Sequence, residues 1–494
     1  MKKQKSSKLT GFVAVQIVTC VAFGAAWLAL APAQAERFSE VVTGEIKFSP
    51  PKIERTEPLV IKPLYDDPEV VSDEELAAVL LQVQPRFPAD KLKPNHVEHA
   101  LRTWHVDAEF QDPAVMSGTD MRDLLLDHGR FLLSWGPDIA PLLEDRPTGV
   151  YVRWGHDTGA SVHHDHTLAC LSEAGVPLDQ PVRSPGRPNG TLKQMIEQAI
   201  YDFDLDERET EWSAMGFGLW LPPQKEWVNG HRRKLNFDMI ARRQMRGHKT
   251  YGVCGGTHRV YSLMSLVRLD DEFDILSDEV RAEAMTYLGS VRDILMVTQH
   301  EDGHWPYNWP DGEASLKTPE DYEAYKDVIA TGHHLEWLAI APKELHPPRE
   351  MILKAADWII ENTTSKTKAE ILSNYTFYSH VGNALSLWRN TRAPVFWKKW
   401  EAEHPFKAEG SDEVAINDKA AESNAAADPA AADAEQPAAP EKPADTEKPT
   451  GADSPKESVE SSITTDEASP LTGKESIREE TDVEPQPLIV PPEL

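Results

Sequence analysis

The chain of 494 residues has 51 basic and 81 acidic side chains, which gives a formal net charge of −30. Its 40% hydrophobic content is enough for one large core or two ordinary ones. Because no basic stripe with interleaved aromatic residues is present, composition excludes nucleic acid as a partner. Three cysteines are too few for a disulfide framework, so Cys170 and Cys254 form at most one disulfide or remain buried thiols.

The N-terminus has the pattern of an export signal. Four lysines precede an apolar run over residues 9–30, and small residues follow at Ala33 and Ala35. The run is also long enough to cross a bilayer, so residues 1–35 are either a cleaved signal peptide or an uncleaved membrane anchor. Both alternatives place the rest of the chain on the periplasmic side of the inner membrane, secreted or anchored there.

A charged, proline-rich stretch over residues 36–70 is predicted to be an extended linker. The folded domain is expected to span residues 71–406. Its first helix is indicated by Ser72 and Glu75, which have the spacing of a capping box in front of an apolar stripe.

Beyond residue 160 the pattern is helical and repeated. Five apolar helices are predicted to begin with a hydroxyl residue about 45–50 residues apart, with one wider gap. These starts are Ser161, Thr210, Thr257, Thr331 and Thr376. Amphipathic helices are predicted between them, over residues 191–203, 234–245, 278–299 and 349–363. Alternating apolar and amphipathic helices favour helical hairpins with one buried and one solvent-facing member.

Such hairpins can close into an all-α fold, an α/α toroid. If an outer helix leads the chain back after each inner helix, all inner helices are parallel and their N-termini gather at one rim of the toroid. Polar side chains cluster near these predicted starts, at His163, His164, His166, Glu211, His258, His333, His334, Glu336 and His380. Four of them are candidate catalytic acid–base residues, namely Glu211, His258, His333 and Glu336.

The stretch Cys254-Gly-Gly-Thr-His258 permits two interpretations. A thiolate and an imidazole four residues apart could bind one metal ion, with His333 or His334 and with His163 or His166 completing a tetrahedral site. Zinc is the metal that such a nitrogen and sulfur ligand set favours. Alternatively, the glycines only form a turn and Thr257 caps the following helix.

An aromatic segment, His-Trp-Pro-Tyr-Asn-Trp-Pro over residues 304–310, fills the wider gap between repeats. We expect it near the rim. There it could stack on a sugar ring or a prenyl chain, or it could pack as a plug of tryptophan and proline.

Two short motifs resemble known families. Gln299-His-Glu-Asp-Gly-His-Trp305 resembles the Gln-x-x-x-Gly-x-Trp motif of terpenoid cyclases, whose relatives include the protein prenyltransferases. The resemblance implies an α/α toroid in which Gln299 and Trp305 link the end of an outer helix to the next turn. Residues 332–337, Gly-His-His-Leu-Glu-Trp, are similar to an element of the N-acylglucosamine epimerase group of α/α barrels. This resemblance implies that His333 is an acid–base residue and that Glu336 orients it or the substrate.

Residues 407–494 contain no aromatic side chain and hold a large part of the net negative charge. We expect them to be a disordered acidic tail. Two functions remain open for the whole chain. The first is an exported or membrane-tethered enzyme that acts on a glycan, polyprenyl or lipid-linked substrate through the rim. The second is a non-catalytic envelope protein that uses the toroid as a binding platform or scaffold.

Overall fold

The computed structural model describes residues 13, 15–24, 50–249, 252–317 and 323–406. The chain divides into two units, residues 1–418 and 419–494, and every described residue lies in the first unit. The predicted tail and most of the predicted signal lie outside the described residues. Residues 15–24 are helical. Within the described ranges, no helix is both long and apolar enough to cross a membrane.

The described residues are mostly helical, which confirms the all-α class. From residue 73 onward the α-helices are α1 Asp73–Gln82, α2 Pro94–Trp104, α3 Gly118–Leu126, α4 His128–Trp135, α5 His166–Glu173, α6 Leu192–Asp202, α7 Glu211–Trp220, α8 Phe237–Met245, α9 Thr257–Phe273, α10 Asp278–Thr298, α11 Tyr325–Ile340, α12 Arg349–Thr364, α13 Lys368–Ser373, α14 Tyr375–Trp388 and α15 Ala393–Glu403. Short 3-10 helices span Trp309–Lys317 and Lys343–Leu345.

Strands occur only as short hairpins among the described residues. Three antiparallel pairs are formed by β1 Leu143–Asp145 with β2 Val150–Val152, β3 Pro181–Ser184 with β4 Arg187–Thr191, and β5 Glu226–Val228 with β6 Lys234–Asn236. Each pair forms a separate two-stranded sheet, so no larger sheet occurs among the described residues.

Local sequence signals locate several helices well. The Ser72 hydroxyl accepts a hydrogen bond from the backbone N–H of Glu75, whose carboxylate accepts one from the N–H of Ser72 at 2.8 Å. This reciprocal pair is the predicted capping box. The four predicted amphipathic segments correspond to α6, α8, α10 and α12.

The prediction that a hydroxyl residue caps each apolar helix was wrong at most positions. Among the five residues, Thr210 alone directly precedes its helix. Helix α9 begins at Thr257 itself, with Gly256 in the N-cap position, and Thr331 lies inside α11. The hydroxyl of Thr331 instead accepts a hydrogen bond from the backbone N–H of Trp305 at 3.0 Å. The Thr331 hydroxyl thus makes a tertiary contact, whereas those of Ser161 and Thr257 donate to nearby carbonyls, and local sequence does not distinguish either role from a cap.

Six helices contact one another in a cyclic order. The order is α2, α5, α7, α9, α11 and α14, and α14 also contacts α2. Most residues of each of these helices are buried, and in α7 all ten are. In contrast, α10 buries residues such as Val280, Ala284 and Leu288 at intervals of about one turn, as a helix at the periphery does.

Residues 59–67 lie against the C-terminal ends of three helices in this cycle. Backbone N–H groups of residues 59, 64 and 67 donate to the carbonyls of Leu219, Ala339 and Trp388 at 2.8–3.2 Å. These carbonyls belong to the last turns of α7, α11 and α14, where a helix leaves acceptors unsatisfied. The three helix ends therefore lie on the same side of the cycle, and part of the predicted linker covers them.

Gln299 and Trp305, the two named residues of the cyclase-like motif, both bond to neighbouring segments. Gln299 follows α10, and its side-chain amide donates to the carbonyls of Gly303 and Met351 at 2.7 Å each. The indole N–H of Trp305 donates to the carbonyl of Leu295 at 3.1 Å. The end of α10 is thus tied to the turn that follows it and to the start of α12.

Candidate metal centre

A closed ring of aromatic side chains occupies the interior of the helix cycle. Each of the six helices contributes one member, and these are His99, His166, Trp212, His258, His333 and His380. The centroids of neighbouring rings are 3.9–5.0 Å apart. All six side chains are buried. We call this arrangement the histidine ring.

The histidine ring lies deeper than the rim that the sequence predicts. His258 and His333 are both fully buried, as is Glu336. His333 lies in the middle of α11 because that helix begins at Tyr325, upstream of the predicted start. The predicted polar rim is therefore an enclosed polar layer within the helix cycle.

Three of the predicted metal ligands converge at one side of the ring. Cys254, His258 and His333 each offer one ligand atom, and these atoms lie within 4.8 Å of one another. This confirms the predicted proximity. Ligand atoms around one tetrahedral zinc ion are about 3.3–3.8 Å apart, so shifts of about 1 Å would bring this group to ligation distance.

Three ring nitrogens of this group have no hydrogen-bond partner among the described residues. Neither ring nitrogen of His258 has a hydrogen-bond partner among the described residues, and the same holds for Nε2 of His333. Buried polar atoms in proteins nearly always have a partner, because leaving one unpaired costs about 1–3 kcal/mol. The geometry thus leaves lone pairs available where a metal ion could accept them.

An unusual turn directs Cys254 towards these histidines. Cys254, Gly255 and Gly256 have φ values of 53°, 63° and 82°, in the left-handed region. For a non-glycine residue such a conformation costs on the order of 1–3 kcal/mol and is concentrated at functional sites. A Cβ at Gly255 would lie 3.2 Å from the ring of Tyr307, so the glycine also permits close approach. The hydroxyl of Thr257 donates to the carbonyl of Cys254 at 2.9 Å and fixes the turn.

Glu211, a predicted catalytic residue, supports the same turn. Its carboxylate accepts hydrogen bonds from the backbone N–H groups of Val253 at 2.6 Å and Thr210 at 2.9 Å. Burial raises the pKa of this carboxyl group. Because both oxygens are engaged by the backbone, Glu211 positions the residues around Cys254.

Glu336 orients the ring of His333. Nδ1 of His333 lies 2.6 Å from Oε2 of Glu336. Burial alone would raise the pKa of Glu336, but Arg102 and the neighbouring imidazoles hold it well below its usual range. The carboxylate is therefore ionised and accepts a hydrogen bond from Nδ1–H. This leaves the Nε2 lone pair of His333 free, which is the usual arrangement of a metal-ligating histidine and its carboxylate.

A second group, His333, Glu336 and His380, is also close enough to hold an ion, but a guanidinium occupies its centre. Nη1 of Arg102 donates to Glu336 at 2.8 Å and to Nδ1 of His380 at 2.9 Å. Nε of Arg102 donates to Glu173 at 2.5 Å. Since a guanidinium is always charged, it would repel a metal cation at this position. Arg102 therefore already engages Glu336 and Nδ1 of His380, and its charge disfavours a cation beside them.

The other two predicted ligands, His163 and His166, are not brought to Cys254. The indole of Trp212 lies between His166 and His258, with ring centroids 4.3 and 4.2 Å from theirs. Nδ1 of His166 is hydrogen-bonded to Glu98 at 2.8 Å, and its Nε2 has no partner among the described residues. Neither histidine belongs to the two groups that could hold an ion in this part of the chain.

His334 and the aromatic segment form a packed plug. Nδ1 of His334 accepts a hydrogen bond from the indole of Trp337 at 3.0 Å. The rings of Trp305 and Trp309 lie 5.7 and 4.8 Å from His334, and both tryptophans are fully buried. They present no exposed face to a ligand, so the plug interpretation of residues 304–310 fits their packing.

A cavity of about 330 Å³ approaches the histidine ring from the side of the helix C-termini. Its lining includes Arg102, Glu173, Tyr261 and Asn383, together with residues 59–63. The Tyr261 hydroxyl donates to Glu173 at 2.8 Å, and the Asn383 amide donates to Glu336 at 2.6 Å. This polar lining connects the cavity to the carboxylate that orients His333.

The sequence pattern alone does not identify several of these residues. Arg102 and His99 lie on α2, which precedes the five predicted repeats. One usable signal exists within the repeats, since His166, Trp212 and His258 are each 46 residues apart. That spacing assigns Trp212 to the ring, although its side chain offers no metal ligand.

Both Cys170 and Cys254 are free thiols, so no disulfide constrains the site. Comparison of the chain with known protein families, with curated proteins and with solved structures finds no match in any of the three. The function therefore has to be inferred from the geometry and chemistry of the histidine ring and the turn at Cys254.

Proposed function

We propose that the chain is an α/α-toroid metalloenzyme of the cell envelope, with a zinc ion held by Cys254, His258 and His333. The observation that carries the proposal is the convergence of these three ligand atoms within 4.8 Å, with buried nitrogens that have no other partner. The orientation of His333 by the ionised Glu336 supports it further.

The toroid is supported by the cyclic order of helix contacts and by the helix ends that share one side. A six-member cycle of apolar helices, with amphipathic helices at its periphery, is the arrangement expected of helical hairpins closed into a barrel. The contacts of Gln299 and Trp305 agree with the resemblance to terpenoid cyclases.

Catalysis is supported by the number of ligands. Structural zinc sites use four protein ligands, whereas catalytic sites use three and leave one position for water or substrate. A zinc ion at such a position activates water or polarises a carbonyl or phosphoryl oxygen. On the protein side, Glu336 holds the His333 ring in place, Glu211 and Thr257 hold the turn at Cys254, and Arg102 balances the buried carboxylates.

The N-terminal sequence supports the proposed location, and the cavity supports the proposed class of substrate. The basic and apolar N-terminal segment supports export to the periplasmic side, either secreted or anchored in the membrane. The cavity near Arg102 combines polar groups with apolar residues such as Leu219 and Leu387, which suits a substrate with both hydroxyl groups and an apolar part, such as a lipid-linked glycan.

One observation favours the alternative of a non-catalytic binding platform. Trp305 and Trp309 are fully buried and pack on His334, so this segment closes one side of the helix cycle. A platform of this kind would bind partners on its outer surface and would not need a metal at Cys254.

Metal analysis of the purified full chain tests the proposal. We expect about one equivalent of zinc, retention in a Cys170→Ala control, and loss of most of the metal in Cys254→Ser and His258→Gln. Replacement of zinc by cobalt should give a sulfur-to-cobalt absorption band that Cys254→Ser abolishes and Cys170→Ala retains. A folded protein that takes up no zinc, or in which Cys254→Ser retains it, would rule out this centre and leave the platform.

A further inference from the structure

A second cavity, of about 560 Å³, opens beside the starts of α5 and α7. Its lining includes Tyr151, Trp154, His163, His164, Asp202 and Glu209. None of these residues belongs to the proposed metal centre. The cavity nevertheless adjoins the histidine ring, because the ring of His163 lies 5.8 Å from that of His166 and 6.2 Å from that of Trp212.

Aromatic rings form one wall of this cavity. Trp154 leaves 46% of its surface exposed, although large aromatic side chains elsewhere in the helix cycle are buried. The rings of Trp154 and Tyr151 lie 5.6 and 6.4 Å from that of His164, so the three stand together. An exposed indole face inside a cavity is a suitable surface for the apolar face of a flat ligand.

Paired imidazoles and carboxylates also line the cavity. Nδ1 of His163 is hydrogen-bonded to Oε2 of Glu209 at 2.7 Å, and Nδ1 of His164 to Glu207 at 2.8 Å. These bonds fix the orientation of both rings. Nε2 of His163 and Oε1 of Glu209 have no hydrogen-bond partner among the described residues, and both side chains are about one-fifth exposed. A donor or acceptor on a ligand could therefore reach them.

The charges around the cavity are mixed. Burial opposes ionisation of His164, but Asp165 and Glu207 raise its pKa to about 9, so it is a cation at neutral pH. Arg208 adds a second positive charge, whereas Asp202, Glu207 and Glu209 supply carboxyl groups. Neither sign dominates. Such a wall favours a neutral ligand with many hydroxyl groups over a strongly charged one.

We propose that this cavity binds a pyranose unit of a glycan, with the apolar face of the sugar on Trp154 and its hydroxyl groups at His163 and Glu209. The volume lies in the range of small-molecule sites, about 300–1,000 Å³. The inference deepens the proposed function, on which it rests for its substrate class, but binding of the sugar itself requires no metal.

Titration of the full chain with saccharides, followed by tryptophan fluorescence and calorimetry, tests the inference. The probes are trisaccharides of glucose, galactose and N-acetylglucosamine, with tetramethylammonium as a cationic probe. At least one trisaccharide should bind saturably. Trp154→Ala should weaken that binding at least tenfold and Glu209→Gln severalfold, whereas Trp400→Ala, a partly exposed tryptophan outside this cavity, should leave it unchanged.

Binding by none of the trisaccharides, binding by tetramethylammonium alone, or equal binding by Trp154→Ala would overturn the inference. Metal analysis of the same wild-type preparation, together with a repeat of the sugar titration on Cys254→Ser, distinguishes failure of the metal centre from failure of the sugar site. If the wild-type chain holds no metal but the sugar still binds, the metal centre fails and the sugar site stands. If zinc is present and no sugar binds, only the sugar site fails.

Discussion

Replacement of Arg102 by Met perturbs the most deeply buried charge network of the site. The side chain of Arg102 is 2% exposed, and its partner Glu336 is fully buried. Methionine keeps most of the apolar stem of Arg102 but removes the cation that balances Glu336. Removing one partner of a buried ion pair costs about 3–5 kcal/mol, because an uncompensated charge remains in the interior. We expect a loss of this size in the free energy of unfolding of Arg102→Met.

Urea unfolding of the full chain, monitored by circular dichroism, measures the loss. Arg349→Met is the matched control, since Arg349 pairs with Asp67 and Glu69 at the surface and is 47% exposed. Exposed ion pairs contribute about 0.2–1 kcal/mol, so the control should lose at most about 1 kcal/mol. Burial, and not the number of ion pairs, then accounts for the difference between the two variants.

A double variant tests whether the charge is the cause. Arg102→Met combined with Glu336→Gln removes both charges, so its loss should be smaller than the sum of the two single losses by about 0.5–3 kcal/mol. A loss below about 1 kcal/mol for Arg102→Met, or strictly additive losses in the double variant, would refute the conclusion that Arg102 stabilises the site by neutralising Glu336.

Four shorter predictions concern the turn and the histidines. Added zinc should stabilise the wild-type chain against urea by about 2.7 kcal/mol at one hundred times its dissociation constant, and it should not stabilise Cys254→Ser. Thr257→Val should cost about 0.5–1.5 kcal/mol by thermal unfolding, through the lost bond to the turn. The wild-type chain should have a larger free energy of unfolding than His164→Gln. This difference should be complete below about pH 6.5 and disappear as the pH rises through about 9, because the folded-state pKa of His164 is raised to about 9. Burial and His333 lower the pKa of His380 to about 3. The free energy of unfolding of the wild-type chain should therefore fall as the pH drops from about 6.5 towards 3. Urea unfolding across this range should show a less steep fall for His380→Gln.

Local periodicity explains why the helices could be predicted. Helix α10 repeats apolar residues at the spacing of one helical face, and Ser72 with Glu75 marks the start of α1. Both signals act within a few residues of the chain, so the sequence contains them fully. The position of Cys254 next to His333 also followed from the pattern, because successive inner helices of a closed cycle are neighbours.

Arg102 shows why the rest could not be predicted. Its partners Glu173 and Glu336 are 71 and 234 residues away along the chain. A charged residue on a helix normally faces solvent, and only the assembled cycle shows that this one is buried. The predicted hydroxyl caps failed for the same physical reason. Thr331 matches a cap in sequence, but its hydroxyl binds the backbone of Trp305, a contact that depends on the folded arrangement of both segments.

The proposed metal group lies where the repeat is interrupted. His166, Trp212 and His258 are spaced by 46 residues and His333 and His380 by 47, whereas 75 residues separate His258 from His333. In repeat proteins the regular part provides the scaffold, and insertions in connecting segments often carry function. Here the inserted segment supplies Tyr307, which packs against Gly255 in the turn that positions Cys254. Cys254 itself lies just before the interruption, and the interrupting segment packs against the turn that holds it.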